Sequence, residues 1–123
     1  MAFDASGNLF VANSDDQSIN VYPAGADGNV APTYQIKGIA TSLSRPAGLA
    51  FDASGNLYVS NYTGNRISVF APGATGNATP TKTISGGSTG LSAPNALAIA
   101  PNGNIFVSNN SGNSVTVYSS TAT

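Results

Sequence analysis

An all-β fold made of repeated antiparallel sheets is predicted by three features of the sequence. One stretch recurs nearly three times: residues 2–22 read AFDASGNLFVANSDDQSINVY, residues 50–70 read AFDASGNLYVSNYTGNRISVF, and residues 98–118 read AIAPNGNIFVSNNSGNSVTVY. Phe3, Phe51 and Ile99 are equivalent, so the period is 48 residues, without a gap in either step. Inside each copy, short runs rich in Val, Ile, Phe and Tyr alternate with small or polar residues, the period of a strand. Gly, Asn, Ser and Pro punctuate those runs, and helical periodicity with caps appears nowhere. Four short strands per repeat, a polar last strand and a fixed period above about 40 residues are the pattern of a β-propeller blade. The alternative, a β-solenoid, has shorter rungs and lacks four hairpin-type turns per unit. The blade repeats run over 1–46, 47–94 and 95–123, in one propeller segment of about three four-stranded blades.

The first strand of a repeat is AGLAFD (47–52), matched by NALAIA (95–100), with only its end in the first copy. A tight turn follows at Ser54-Gly55-Asn56, where Gly accepts the positive φ that a hairpin requires. Asp4 and Asp52 are placed to accept hydrogen bonds from the amides of that turn. The second strand, LYVS (57–60) with LFVA and IFVS as its copies, has large residues on both sides, as in a sheet sandwiched between neighbours. Leu9, Val11, Leu57, Val59, Ile105 and Val107 are the expected core. The third strand is RISVF (66–70), matching SINVY and SVTVY. After a Gly/Pro-rich loop comes TKTIS (81–85), matching TYQIK, polar enough for an outer strand with one wet side. The expected strands are 3–4, 9–12, 18–22, 33–37, 48–52, 57–60, 66–70, 81–85, 96–100, 105–108 and 114–118. Leu43 and Leu91, in the loops between repeats, are read as plugs between adjacent sheets.

These residues resemble the NHL-repeat propellers. Pro46 to Phe70 carries the pattern in full, Pro94 to Tyr118 carries it with Ala100 in place of Asp, and Ala2 to Tyr22 carries its truncated start. The resemblance implies a propeller fold that hosts scaffolds, binding modules, lactonases and lyases, so function has to be read from a site. The position after Val-Ala or Val-Ser is often Asp in that family. It is Asn13, Asn61 and Asn109 here, which argues against an acid-based metal site there.

Composition limits the chemistry. Charged residues make up 7% of the 123 residues, against roughly 25% in an average domain. All five acids are Asp, and Cys, His, Glu and Trp are missing. Thiolate chemistry, disulfides and the commonest general base are therefore excluded, and no cofactor is expected. Net charge is −1, with four bases and no basic patch, so nucleic acid is not an expected partner. No apolar run is long enough to span a bilayer. A polar, uncharged, Cys-free chain points to an extracellular or cell-surface setting, although MAFDASGN shows no signal-peptide pattern.

Residues that differ between otherwise similar repeats are the better site candidates. Asp15 and Asp16 stand where the other copies have Thr63-Gly64 and Ser111-Gly112; a calcium site would need more oxygens than they supply, and solvated loop acids are the plainer reading. Tyr62 is an aromatic where Ser14 and Asn110 stand elsewhere, and Arg45 and Arg66 are unique to their copies. An aromatic beside Arg stacks on a sugar or grips a peptide. In a propeller, the loops joining strands two and three and those joining blades share one face. Asp15, Asp16, Arg45, Tyr62, Arg66, Asn95 and Asn110 are therefore the candidate ligand-binding set, set against the reading that they are ordinary scattered surface residues. The recurrent Asn13, Asn61 and Asn109 are read as caps of their own turns. Three tripeptides beginning at Asn61, Asn77 and Asn109 match the N-glycosylation pattern, as the Asn/Ser/Thr-rich composition makes unsurprising.

The leading expectation is a non-catalytic interaction scaffold or ligand-binding surface for a protein or carbohydrate. One alternative is a fragment of an enzyme resembling streptogramin lyase or gluconolactonase, with the reacting groups on other blades. Another is a structural cell-surface spacer. Propellers close with about four to eight blades, so three imply an incomplete ring. The chain is then either a piece of a longer protein, the preferred reading, or a half that assembles with a second copy into six blades.

Overall fold

A computed structural model describes residues 1–123 as three antiparallel sheets. Blade one contains β1 (Ala2–Phe3), β2 (Leu9–Asn13), β3 (Ser18–Tyr22) and β4 (Tyr34–Lys37) in that order. Blade two contains β5 (Pro46–Phe51), β6 (Leu57–Asn61), β7 (Arg66–Phe70) and β8 (Lys82–Ile84). Blade three has β9 (Pro94–Ile99), β10 (Ile105–Asn109) and β11 (Ser114–Tyr118), without an outer strand. Every expected strand is present; β3, β7 and β11 have the expected bounds, and the ends of the others are displaced by at most two residues.

Those displacements have local causes. β5 and β9 begin at Pro46 and Pro94, earlier than the pattern predicts. Each proline pairs with the far end of the second strand, across a register shift between Pro46 and Leu49 in one blade and beside Asn109 in the other. A first position suits proline, which has no amide to donate. At the bulge the Gly48 amide donates to Ser60 Oγ instead of the ladder. Asp4 and Asp52 lie outside their strands because they close the turn. Asp52 Oδ1 accepts from the Ser54 and Asn56 amides, and Asp4 does the same with Ser6 and Asn8. Where the third copy has Ala100, Asn102 Oδ1 accepts from the Asn104 amide and holds the turn in its place. One 3-10 turn, Ile39–Thr41, lies in the loop between blades one and two, where no helix is expected from the sequence. The Thr41 hydroxyl donates to the Gly38 carbonyl and closes it.

The core lies between blades. Phe10, Ile19, Val21 and Ile36 of blade one meet Leu49, Leu57, Val59 and Phe70 of blade two. The other face of blade two, with Tyr58, Ile67, Val69 and Ile84, meets Ile105 and Val107 of blade three. All of β6 is buried. Burial of Leu57, Val59, Ile105 and Val107 is as expected, but Leu9 and Val11 are half-buried. They occupy the face of blade one that no sheet covers, so only the middle blade is enclosed on both sides. Leu91 is buried and Leu43 half-buried, each packed against an interblade core. The outer edge of β4 is occupied by the loop of the next blade: the Lys37 amide donates to the Gly76 carbonyl, and the Gly76 amide to the Gln35 carbonyl.

This composition predicts an unusual pH profile. No side chain has an ordinary pKa between about 5 and 8. Burial acts to raise the Asp52 pKa, but the side chain and amide of Asn56 and the amide of Ser54 outweigh it, so the pKa is lowered from 3.8. Asp4 is lowered by the same balance of burial against Asn8, Ser6 and Gly7. A carboxyl held low stabilises the fold above its unfolded pKa, and that contribution is lost as pH falls through the folded value. Burial, then the charge of the nearby Asp, raises Tyr58 and Tyr34 from 10.0. Their contribution is present below that value and lost as pH rises through the folded one. Denaturant unfolding should give a flat stability from about pH 5 to about pH 8, with losses only in the acid and strongly alkaline limbs. An inflection near neutrality would contradict this assignment.

Candidate functional site

The loops joining β2 to β3, β6 to β7 and β10 to β11 share one face with the segments leading into blades two and three. Asn61 builds that arrangement. Its side chain is wholly buried; Oδ1 accepts from the Ser44 amide, 2.9 Å away, and Nδ2 donates to Ser68 Oγ at 3.0 Å. Asn109 repeats this with the Ser92 amide and Thr116 Oγ1, both at 3.0 Å. Asn61 Nδ2 also donates across its own turn to the Arg66 carbonyl at 3.4 Å, as the sequence suggests, but the shorter bonds of these asparagines reach other segments. They staple the incoming chain to the blade, a task that needs one acceptor and one donor on a single side chain. Their burial also removes Asn61 and Asn109 as glycosylation sites.

Stapled this way, Ser44-Arg45 runs beside Tyr62-Thr63. The Tyr62 amide donates to the Arg45 carbonyl and the Thr63 amide to the Ser44 carbonyl. The Arg45 amide is held by Gln17 Oε1 of blade one, and Asn65 Oδ1 holds the equivalent Ala93 amide. Both Arg45 and Ala93 adopt a positive φ of 49°, which these paired contacts fix. The Arg45 guanidinium lies 5.6 Å from the centre of the Tyr62 ring, within cation–π range. From blade three, Asn110 Nδ2 donates to the Tyr62 hydroxyl at 3.0 Å. Ser14, Arg45, Ala47, Tyr62 and Asn95 line a depression of about 220 Å³.

Four of the seven candidate residues thus come together: Arg45, Tyr62, Asn95 and Asn110. The other three do not join them. Asp16 forms an ion pair with Lys37 at 2.9 Å and accepts from Ser18 Oγ, toward the outer strand. The Lys37 ammonium, then the Ser18 hydroxyl, lower its pKa. Asp15 lines a separate polar hollow with Asn13, Ser14, Asp16 and Asn20. The Arg66 guanidinium donates to the Ser42 carbonyl, and its Nε is buried without a partner. Arg66 therefore ties a loop down rather than facing a ligand. No three of the chain's Asp side chains are grouped where they could hold a metal ion.

Two lining residues escape sequence reading. Ser14 donates to the Pro46 carbonyl at 2.8 Å and faces the depression. It is the repeat equivalent of Tyr62 and Asn110, as Ala47 is of Asn95. The signal was present in the alignment of the copies, but it lies in position rather than residue type.

Residues 43–70 match the model of the NHL repeat. Among solved structures the chain is similar to a streptogramin B lyase, with a TM-score of 0.73 and 15% identity over 99% of this chain and 37% of that one. A candidate 6-phosphogluconolactonase from Bacteroides uniformis gives 0.68 and 18%, over 94% of this chain and 36% of that one. Virginiamycin B lyase from Staphylococcus aureus gives 0.64 and 15%, over 96% and 39%. The chain spans less than two fifths of the length of each. A sequence search among curated proteins gives no match. At these identities the likeness speaks for the fold alone: three blades of a β-propeller.

Proposed function

We propose that this chain, a β-propeller segment carrying an NHL repeat, is a non-catalytic binding module whose loop face holds a carbohydrate or peptide group. The observation that carries this reading is the Arg45–Tyr62 pair, braced by Asn110 and open to a depression that Asn95 also lines. An aromatic face flanked by a cation and amides offers stacking and hydrogen bonds, and no carboxylate or imidazole is among the lining residues. The volume of about 220 Å³ is below the roughly 300–1,000 Å³ of drug-sized ligand sites. It suits one sugar ring or one side chain of a larger partner.

Glycan-array and peptide-library screens on the chain, followed by calorimetry, test the proposal. Tyr62→Ala and Arg45→Ala should each weaken binding at least about tenfold, equal to about 1.4 kcal/mol. Asp15→Asn, outside the depression, should leave it unchanged. A ligand bound equally well by all three variants would remove the site. A screen without any binder would favour the spacer reading.

A second reading, part of a propeller enzyme, draws on the structural neighbours that are lyases and on the chain's short span relative to them. It requires the acid–base groups to come from other blades, since this chain has neither His nor Glu.

A further inference from the structure

The repeat contains its own control for the Arg45–Tyr62 pair. Ala93 stands before blade three where Arg45 stands before blade two, with the same φ of 49°. The Asn110 and Ser111 amides donate to the Ala93 and Ser92 carbonyls, as the Tyr62 and Thr63 amides do to those of Arg45 and Ser44. The backbone frame is therefore built without an arginine or a tyrosine, and these two side chains are additions to it. Of the four basic side chains, three find acceptors within the chain. Lys37 donates to Asp16, Arg66 to the Ser42 carbonyl and Lys82 to the Ser120 carbonyl. The Arg45 guanidinium has the Tyr62 ring at 5.6 Å but neither a hydrogen-bond acceptor nor an ion-pair partner. The Tyr62 hydroxyl accepts from Asn110 Nδ2, which leaves its own hydrogen to donate.

We infer that the depression takes an acidic sugar, one uronic-acid ring of a glycan, with Arg45 as the counter-ion of its carboxylate; this rests on the binding-module reading above. A guanidinium matches a planar carboxylate with two parallel N–H donors, and those of Arg45 are uncommitted. Arg45 is the only charged residue lining the depression, so one cation faces one anion with no acid beside it to compete. Asp15, next to Ser14 in the chain, lines a separate hollow. The rest of the lining favours a sugar over a peptide. Besides the Tyr62 ring, Ala47 is the one apolar residue there, whereas a peptide site uses buried apolar anchors. Ring hydroxyls instead find the Tyr62 hydroxyl as donor, the Asn95 side chain as donor or acceptor, and the Ser14 oxygen as acceptor, since its hydrogen goes to the Pro46 carbonyl. The lining residues come from the loop face of three successive blades, and a space of about 220 Å³ holds one ring.

An array of glycans bearing galacturonate or glucuronate, with neutral and sulfated glycans beside them, tests this. Calorimetry follows with the best acidic binder and its methyl ester. The ester should bind at least about tenfold more weakly, the effect of losing a charged hydrogen-bond partner. Rising salt should weaken binding of the acid and leave that of the ester unchanged. Arg45→Ala installs the residue that the same frame already holds at Ala93. It should therefore keep the circular dichroism and unfolding of the parent, yet bind acid and ester alike. Neutral glycans bound as tightly as acidic ones overturn the inference and leave the binding module standing. A preference for sulfated glycans, or for acidic peptides over any sugar, does the same. An acid preference that survives in Arg45→Ala also overturns it, since the charge is then read elsewhere. Glycan and peptide screens without any binder overturn both readings together.

Discussion

Phe70→Ala is expected to cost about 3–5 kcal/mol of folding stability, as for other fully buried aromatics. The whole stability of a domain is about 5–15 kcal/mol, so the variant should unfold at a much lower denaturant concentration. Phe70 is wholly buried in the core between blades one and two. It already borders an apolar void of about 20 Å³ shared with Phe10, Tyr34 and Phe51. Removing the ring enlarges a space that no neighbouring chain segment is free to fill. The repeat supplies internal controls at the same position. Tyr22 lies on the uncovered face of blade one, and its replacement by Ala should cost less than about 0.5 kcal/mol. Tyr118 is half-buried, with its hydroxyl donating to the Thr89 carbonyl at 2.7 Å, and should fall between. Urea unfolding followed by tyrosine fluorescence and far-UV circular dichroism would check the order. Equal losses at Tyr22 and Phe70 would show that blade two is not the enclosed sheet.

The fold was legible because repetition averages out the ambiguity of single short strands. One apolar run of four residues does not distinguish a strand from a turn of helix, but three copies with the same Gly turn do. Burial was less legible, since it depends on what stands next to a sheet rather than on the sheet's own sequence. Leu9 and Leu57 are the same residue in the same local context, yet only Leu57 has a neighbouring blade on its face. The candidate site was half legible for a similar reason. Differences among copies pointed to Arg45 and Tyr62, and the topology did bring these together. The same criterion selected Arg66, whose length lets it reach back to Ser42 instead, and Asp16, which finds Lys37 on the adjacent outer strand. A unique charge marks a position but does not say in which direction its side chain finds a partner.

Asn61 is the residue through which fold and site are joined, and Asn61→Leu is expected to damage both. Leucine has the same branching and the same number of side-chain heavy atoms, so no cavity is left. What is lost is the acceptor for the Ser44 amide and the partner of the Ser68 hydroxyl, in a position of zero exposure. A buried donor left without an acceptor costs about 1–3 kcal/mol, and the Ser68 oxygen, which accepts from Asn61 Nδ2, adds to it where it finds no other donor. The expected loss is about 2–4 kcal/mol on that basis. Asn13 stands at the equivalent position of blade one, where its only side-chain hydrogen bond is a 3.4 Å contact to Ser18 Oγ. Asn13→Leu should therefore stay within about 0.5 kcal/mol of the parent. The site supplies a second readout. Without the staple, Ser44-Arg45 is held to the blade by its pairing with Tyr62 and Thr63 and by Gln17 alone. Hydrogen exchange at the Ser44 and Tyr62 amides should then accelerate well beyond the change in global stability. If those amides and the global unfolding shift together in Asn61→Leu, the staple supports the blade as a whole and does not position the Arg45–Tyr62 pair separately.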